Sequence, residues 1–278
     1  MQETFYKYHG AGNDFLLSDA RESGLVLTTD QIRHLCNRHT GFGADGMMFL
    51  RNASEGSGAA FKMDFYNPDG SSGMMCGNGG RCMVAFAASL GLVNEEEPVR
   101  FEAPDGEHEA IMSGGLVRIR MKDVDKVSTI LELRSCFLDT GTRHLVKFVR
   151  DLDDYPVVQE SQPLRYSPLF APQGTNVNFI EPERIPGGTI LRVRTYEKGV
   201  EDETLACGTG IVASAIAAYS QGIPVTRTDG ERVFYDVKAA IATLSVDFIP
   251  EGAGENLRVR DVWLTGPTAF IGTVSVVR

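Results

Sequence analysis

Four features that would each point to a class of protein are missing from this sequence of 278 residues. It has no apolar run of about 18 residues, as a transmembrane helix requires, and its first eight residues lack the apolar stretch of a signal peptide. It contains no Cys-x-x-Cys and no His-x-x-x-His, which are common spacings of zinc ligands. Its formal net charge of −10 offers no basic face for nucleic acid. We therefore expect a cytoplasmic protein that binds no metal, membrane or nucleic acid.

Cysteine is scarce and odd in number. The five cysteines are Cys36, Cys76, Cys82, Cys136 and Cys207. An odd and widely spread set favours reduced thiols in a reducing compartment over a disulfide framework. The apolar fraction of 42% and the charged fraction of 23% are those of an ordinary globular protein, and the length suffices for two domains.

The chain repeats itself. The segment that begins at Cys76 reads CGNGGRCMVAFAASLGL, and the segment that begins at Cys207, 131 residues later, reads CGTGIVASAIAAYSQGI. The same offset separates two pairs of glycines, Gly10 from Gly141 and Gly43 from Gly174. Three coincidences at one offset indicate an internal duplication. We predict an N-terminal half, residues 1–121, that carries Cys76, and a C-terminal half, residues 122–263, that carries Cys207.

Local patterns predict an α/β (α+β) protein. Stretches rich in aliphatic, aromatic or β-branched residues, bounded by Gly, Asp, Asn or Pro, predict strands. These stretches are 15–17, 47–50, 61–66, 116–121, 144–149, 177–180, 190–196 and 242–248. The segments after Cys76 and Cys207 predict two helices that begin in Gly-x-Gly turns and end before Gly91 and Gly222. Both are apolar almost all round, so each helix should be buried in its own half.

The position of each cysteine predicts its chemistry. A thiol at the start of a helix lies beside unpaired backbone N–H groups and the positive end of the helix dipole, which lower a thiol pKa. The same N–H groups can bind a carboxylate. Inversion of a stereocentre requires one base and one acid on opposite faces of a planar carbanion, and a symmetric pair of thiols suits that task. Cys76 and Cys207 are therefore the candidate catalytic pair of a cofactor-independent amino-acid epimerase or racemase.

The chain resembles the diaminopimelate epimerase family along nearly its whole length. The matching motifs are HGAGNDF (9–15), RHTGFGADG (38–46), FYNPDGSSGMMCGNGGRC (65–82), GTNVNF (174–179) and YEKGVEDETLACGTG (196–210). The resemblance implies two pseudo-symmetric halves, each a curved mixed sheet around a central buried helix, with the active site in the cleft between them and residues 264–278 returning to the first half. It also implies interconversion of LL- and meso-diaminopimelate for lysine and peptidoglycan precursors, independent of pyridoxal phosphate, by a homodimer.

The resemblance also assigns roles to individual residues. Cys76 and Cys207 match the acid/base pair, and His144 and Glu197 match groups that tune it. The positions that match substrate contacts are Asn13, Asn67, Gly77, Asn78, Asn176, Glu197, Lys198, Gly208 and Thr209. Of these, Gly77-Asn78 and Gly208-Thr209 supply backbone donors for the substrate carboxylate at the reacting carbon.

The chain departs from the common family pattern around the substrate. Gly46 stands where many members have Gln, Thr142-Arg143 stands where they have Asn-Pro, and Lys198 stands where they have Arg. Two other functions remain open from the residues: a racemase of another amino acid, such as proline or histidine, and a non-catalytic amino-acid-binding homologue. Because both cysteines are present, the sequence favours an enzyme over a binding protein.

Overall fold

In the computed structural model, which describes residues 2–73 and 75–277, the chain begins with an antiparallel hairpin. Its strands are β1 (Gln2–Gly10) and β2 (Asn13–Asp19), and the turn residues Ala11 and Gly12 both have positive φ, 53° and 91°. Two positive φ values in a two-residue turn match the right-handed twist of the paired strands. The turn fixes the register that pairs Gly10 with Asn13, and so it places Asn13 at the first position of β2.

The chain divides into two compact units, whose boundaries fall between Ile119 and Arg120 and between Thr265 and Gly266. After the hairpin, the elements up to the first boundary are α1 (Thr29–Cys36), β3 (Gly46–Arg51), β4 (Phe61–Tyr66), α2 (Gly77–Ser89), β5 (Pro98–Ala103), β6 (Gly106–Ser113) and β7 (Leu116–Arg120).

The later elements are more numerous. They are β8 (Ser128–Ile130), β9 (Ser135–Asp139), β10 (Arg143–Phe148), α3 (Val157–Arg165), β11 (Asn176–Ile185), β12 (Gly188–Glu197), β13 (Asp202–Thr204), α4 (Gly208–Ser220), β14 (Arg227–Asp229), β15 (Arg232–Lys238), β16 (Thr243–Glu251), β17 (Arg258–Pro267) and β18 (Ala269–Val277). Short 3-10 turns lie at Leu131–Leu133, Leu152–Asp154, Pro168–Phe170 and Gly254–Asn256.

Each unit contains a mixed sheet, and the two sheets have the same internal order. In the first unit the strands run β18-β1-β2-β3-β4-β5-β6-β7, with β2–β3 and β4–β5 parallel and the other neighbours antiparallel. In the second unit they run β8-β9-β10-β11-β12-β15-β16-β17, with β10–β11 and β12–β15 parallel. The duplication therefore extends from the sequence to the order and direction of the strands.

One buried helix packs against each sheet. Helix α2 contacts β1, β2, β3 and β6, and α4 contacts β9, β10, β11, β12, β15 and β16. Both helices have 13 residues and begin 131 residues apart. Each ends in the same cap: Gly91 and Gly222 have φ of 76° and 70°, and their backbone N–H groups bond to Ala88 and Tyr219. The N–H group of the next residue donates to the carbonyl oxygen of Ala87 in α2 and of Ala218 in α4, which completes a Schellman motif at each C-terminus.

The strand and helix predictions are confirmed for the elements that they covered, with ends that differ by a few residues. The predicted strand 61–66 coincides with β4, and the helices after both cysteines form as expected. The patterns missed two helices, α1 and α3, and they missed the strands β1, β5, β6, β8, β9, β13, β14, β15 and β17. No helix among the described residues is long and apolar enough to cross a membrane.

Candidate active site

Cys76 is the N-cap residue of α2. Its backbone is extended (φ −105°, ψ 145°), and its Sγ accepts a hydrogen bond of 3.2 Å from the backbone N–H of Gly79. The Gly79 position leaves no spare room, because a Cβ built there would lie 3.2 Å from this sulfur. The Gly-x-Gly turn thus brings a backbone donor against the thiol.

Asn13 gives the Cys76 sulfur a second partner. Its Nδ2 donates to Asp45 Oδ2 at 2.7 Å, which turns its Oδ1 toward Cys76, 3.9 Å from Sγ. Asp45 is itself held by Arg38, whose Nη2 donates to Oδ1 at 2.6 Å. A protonated sulfur can donate to Asn13, and an ionised sulfur can accept from Gly79. Both states of a group that must give and take a proton therefore have a partner.

Gly77 and Asn78 form the first turn of α2. Both are buried, and Asn78 Nδ2 donates to Asn13 Oδ1 at 3.5 Å. The orientation of the Asn78 amide is set by Arg81, whose Nη2 donates to Asn78 Oδ1 at 2.6 Å. Strand β1 approaches this turn closely, because a Cβ at Gly10 would lie 3.0 Å from Asn78 O. These contacts group Cys76, Asn13 and Asn78 in the first unit.

Asn67 lies in the turn after β4. Its Nδ2 donates to Ser71 Oγ at 3.0 Å, and its backbone N–H donates to Ser71 O at 2.9 Å. The position equivalent to Asn67 in the second unit, 131 residues later, is Lys198, which follows β12. The duplication therefore places two predicted substrate-binding residues at matching points of the two sheets.

Cys207 occupies the same place in the second unit, as the N-cap residue of α4, with 7% of its surface exposed. Its Sγ lies 3.5 Å from Thr209 Oγ1. Thr209 Oγ1 in turn lies 3.1 Å from Thr142 Oγ1 and 3.0 Å from His144 Nε2. The two half-sites thus differ: at this sulfur a hydroxyl group supplies a side-chain contact.

The tautomer of His144 follows from Asn178. Asn178 Oδ1 accepts from Thr195 Oγ1 at 2.9 Å, so its Nδ2 faces His144 Nδ1 at 3.0 Å and donates to it. Nδ1 is therefore unprotonated, and the ring proton is on Nε2, which points at Thr142 and Thr209. Burial lowers the pKa of the fully buried imidazole to about 3, against the opposing charge of Asp139. His144 is neutral near pH 7.

The hydrogen bonds around Thr209 have one consistent direction. Asn176 Nδ2 donates to Thr142 Oγ1 at 3.3 Å, and His144 Nε2–H donates to the hydroxyls of Thr142 and Thr209. Both lone pairs of the Thr142 oxygen are then occupied, so the Thr142 hydroxyl donates to Thr209. Because the Thr209 oxygen accepts from both His144 and Thr142, its own hydrogen is directed at Cys207 Sγ. A row of side chains thus ends in one donor aimed at the sulfur.

Asn176, Glu197 and Lys198 lie beside this row. Asn176 is 4% exposed, and its Oδ1 accepts from the backbone N–H of Lys198 at 2.8 Å. Glu197 ends β12 and accepts a hydrogen bond of 3.0 Å from Thr204 Oγ1. The Lys198 residue is exposed. Asn176 therefore connects the Lys198 backbone to the row that ends at Cys207, and Glu197 precedes Lys198 in the chain.

Sequence reasoning missed three residues of these networks: Asn178, Asp45 and Arg81. Asn178 could have been found, because it alternates with Asn176 on one strand and so shares its face. Arg81 could have been noticed as the single charge in an apolar helix. Asp45 had no signal beyond its place in a matching motif.

The departure at Gly46 has a structural counterpart. A Cβ at this position would lie 2.9 Å from the carbonyl oxygen of Tyr66 and 3.3 Å from Phe65. A side chain at position 46 would therefore need the end of β4 to shift.

Solved structures with this fold are distantly related. A phenazine biosynthesis protein of the PhzF family from Bacillus anthracis matches with a TM-score of 0.71 and 15% identity, covering 100% of both chains. A hydroxyproline epimerase from Agrobacterium vitis, with bound trans-4-hydroxy-L-proline, matches with a TM-score of 0.64 and 15% identity, covering 99% of this chain and 92% of that one. The chain therefore shares the duplicated α/β fold of these two proteins.

Sequence comparison gives a narrower result. The family model described as diaminopimelate epimerase matches residues 5–129 and again 136–239. A diaminopimelate epimerase from Flavobacterium psychrophilum is 39% identical over 268 residues, covering 96% of this chain and 97% of that protein. One from Chlorobaculum tepidum is 38% identical over 273 residues, covering 96% and 99%. The chain belongs to the diaminopimelate epimerase family, and its enzyme class is that of an isomerase.

Proposed function

We propose that this protein interconverts LL- and meso-diaminopimelate by proton transfer through Cys76 and Cys207, without a cofactor. One observation carries the proposal. In a chain of this family, the two cysteines are the N-cap residues of two duplicated, buried helices. The reaction places the enzyme in the synthesis of lysine and of peptidoglycan precursors.

In the proposed reaction, one cysteine is ionised and the other is protonated. The thiolate removes the α-proton from one face of the substrate, and the electron pair of the C–H bond passes to the α-carbon and its carboxylate. The thiol then gives its proton to the opposite face, so each turnover exchanges the protonation states of the two sulfurs. The hydrogen bonds of Cys76 suit such a change, because its sulfur has both a donor, Gly79, and an acceptor, Asn13.

The first turns of α2 and α4 would stabilise the carbanion. The unpaired N–H groups of a helix start and its dipole favour negative charge, and we propose that Gly77-Asn78 and Gly208-Thr209 bind the carboxylate at the reacting carbon. Donors that are already in place when the charge develops lower the barrier without reorganisation.

The remaining predicted residues are proposed to hold the substrate and to tune one thiol. Asn13, Asn67, Asn176, Glu197 and Lys198 would bind the amino-acid groups of the substrate. Two observations support this: Asn67 and Lys198 are at matching positions, and Asn176 is bonded to Lys198. His144 would act on Cys207 through Thr209, since its Nε2 bonds to that hydroxyl. Glu197 would act on the same thiol.

Alanine variants of single cysteines test the proposal. Cys76→Ala and Cys207→Ala should each abolish conversion of LL- to meso-diaminopimelate, because one face of the α-carbon then lacks its acid or base. Cys136→Ala is the matched control, since this buried thiol bonds to Ser220 and Gln221 at the other end of α4, and it should keep activity. Full activity of either catalytic variant would contradict the mechanism. Conversion of proline or histidine in place of diaminopimelate would contradict the substrate.

A homodimer and a cytoplasmic location, both expected from the resemblance, belong to the proposal. Sedimentation equilibrium of the purified chain should give twice the mass of the 30.3 kDa monomer. A monomer that is fully active would contradict the expected assembly.

A further inference from the structure

Arg81 is a buried cation inside α2. It is 0% exposed and is the largest of the fully buried side chains. Its Nη1 donates to Gly77 O at 3.2 Å and its Nη2 to Asn78 Oδ1 at 2.6 Å, while its Nε is buried without a hydrogen-bond partner. Among the residues that the structure describes, no carboxylate forms an ion pair with it. The guanidinium therefore lies against the first turn of the helix that Cys76 begins, with only neutral acceptors.

Such a charge is costly in a protein interior. An arginine remains protonated at any ordinary pH, and a buried charge without a counter-ion is strongly destabilising. Two carbonyl oxygens compensate only part of that cost. A negative charge that develops near the first turn of α2 would supply the missing compensation.

Two thiols, those of Cys76 and Cys82, are the candidates for that negative charge. Burial lowers the pKa of Arg81, and negative charge on Cys82 and on Cys76 opposes that change. Cys82 is completely buried, and burial raises the pKa of its thiol far above the usual range, so Cys82 stays protonated. Cys76 is less buried and already accepts the Gly79 N–H. The sulfur that can carry the negative charge is that of Cys76.

Other charges at this end of α2 are already paired. Lys7 on β1 bonds to Asp14 on β2 at 2.7 Å, and Arg38 bonds to both Asp14 and Asp45 at 2.6 Å. Asp45 reaches Cys76 only through the amide of Asn13. Arg81 is thus the cation near Cys76 whose charge no acid neutralises among the described residues.

The second unit has no buried cation at the equivalent position of its helix. The position equivalent to Arg81, 131 residues later, is Val212, which is also 0% exposed. The half-site of Cys207 has the Thr209 hydroxyl and the neutral His144 in its place. Duplication alone does not explain Arg81, because only one copy of the helix carries it.

We propose that Arg81 is a positioning residue that stabilises the Cys76 thiolate from within α2 and fixes the amide of Asn78. The inference rests on the proposed function of Cys76 as an acid/base group. It deepens that function by assigning the counter-charge of one of the two thiols. The opposite half-site would stabilise its thiolate through a hydroxyl donor instead.

The test is the pH dependence of Cys76 alkylation by iodoacetamide, followed by peptide mass spectrometry in the full-length Cys207→Ala protein. The thiolate is the reactive form, so the midpoint of the rate profile reports the thiol pKa. Before any change at position 81, the midpoint should lie below the usual thiol value of about 8.5. A midpoint at or above that value would overturn the proposal without any further variant.

Three substitutions then separate charge from packing. Arg81→Met and Arg81→Gln should each raise the midpoint by about one pH unit, which is the lower end of the range of pKa shifts caused by a nearby opposite charge. At a pH below the midpoint, alkylation of Cys76 should then be about tenfold slower. Arg81→Lys should restore most of the wild-type midpoint. Val212→Met, the same new residue at the equivalent buried position, is the control and should leave the Cys76 midpoint unchanged.

Two further results would contradict the inference: an unchanged midpoint in Arg81→Gln, or an equal rise of the midpoint in Arg81→Lys and Arg81→Gln. The first would show that hydrogen bonding alone matters, and the second that only the shape of arginine matters. Failure of the proposed function looks different. In that case Cys76→Ala would remain active, whatever the alkylation profile shows.

Discussion

The Thr209 hydroxyl lies between a neutral imidazole and the Cys207 sulfur, at 3.0 Å from one and 3.5 Å from the other. Its lone pairs face His144 and Thr142, so its hydrogen is left for the sulfur. Asn78, the equivalent residue in the first unit, is instead bonded to Arg81 and Asn13. This residue pair is therefore one of the differences between two half-sites whose backbones follow the same plan.

Removal of the Thr209 hydroxyl should slow the reaction. A hydrogen bond to a charged group contributes about 1.5–3 kcal/mol, so Thr209→Val should lower kcat/KM roughly 10- to 100-fold. The loss should be equal in both directions, because the equilibrium constant between the stereoisomers is fixed. Thr209→Ser keeps the hydroxyl and should retain most activity; equal losses in the Val and Ser variants would show that the hydroxyl has no role. Steady-state kinetics from each stereoisomer makes the measurement.

At the scale of the helix, α4 begins against a fixed side chain. A Cβ at Gly210 would lie 2.3 Å from Asn178 Oδ1. Asn178 cannot easily move, since it bonds to Thr195, His144 and Leu145. At the equivalent Gly79 the nearest atom would be the Cys76 sulfur at 3.2 Å, which is tight but not overlapping. The same glycine of the repeat thus has different neighbours in the two units.

Gly210→Ala should therefore destabilise the protein by about 1–3 kcal/mol, the usual cost of overpacking a core. Helix propensity alone predicts the opposite sign, a gain of about 1 kcal/mol. Urea unfolding of Gly210→Ala and of the matched Gly79→Ala makes the comparison, and the loss should be larger for position 210. A gain in stability at position 210 would contradict the packing described for Asn178.

The elements that the sequence predicted share strong local signals. The helices after the two cysteines follow from Gly-x-Gly starts, apolar interiors and C-terminal glycines, each of which has a physical role in the structure. Helix α1 was missed although Thr28 and Gln31 form a capping box, because the helix has only eight residues, and the apolar spacing of Ile32, Leu35 and Cys36 covers little more than one turn. Helix α3 was missed because Pro163 lies inside it, where proline usually ends a helix.

The candidate site was predictable only in part. The repeated Cys-Gly-x-Gly identifies Cys76, Cys207 and their immediate neighbours, since those residues are adjacent in sequence, and the resemblance to the family added more distant residues such as Asn13, His144 and Asn176. The contacts of Asn178 with His144 and of Asn13 with Asp45 depend on how strands pair, and a linear pattern does not reveal them. The buried position of Arg81 also required the structure, because an arginine in a sequence is expected at the surface.

Acid should affect the whole molecule through His144. Its pKa is about 3 when folded and near the ordinary 6.5 when unfolded. Between those values the unfolded chain binds a proton that the folded chain does not, so the free energy of unfolding should fall as the pH falls below 6.5. The contribution of one group is at most about 1.4 kcal/mol per pH unit.

Asp14 should act at lower pH. Although burial alone raises its pKa, hydrogen bonds from Arg38 and Lys7 hold the pKa at about 2, below the usual 3.8. A lowered carboxyl pKa contributes stability that is present above 3.8 and is lost as the pH falls through about 2. A loss of folding stability between pH 6.5 and 4 is therefore assigned to His144 rather than to the ion pairs of Asp14.

Urea unfolding at several pH values measures the effect. His144→Gln should give a shallower loss of stability between pH 6.5 and 4 than the unchanged protein. His39→Gln, which removes an exposed imidazole, is the matched control and should keep the original slope. An unchanged slope in His144→Gln would mean that the buried ring is not held neutral.

The central claim is that two cysteines act on opposite faces of one carbon. Incubation of the purified, reduced protein with LL-diaminopimelate in deuterated water tests it most directly, with mass spectrometry of substrate and product at early times. A two-base reaction predicts meso product with one deuterium at the inverted α-carbon, while the remaining LL substrate is unlabelled, because the abstracted proton and the delivered deuteron are on different sulfurs. Equal labelling of recovered substrate and product, or product without deuterium, would contradict the account.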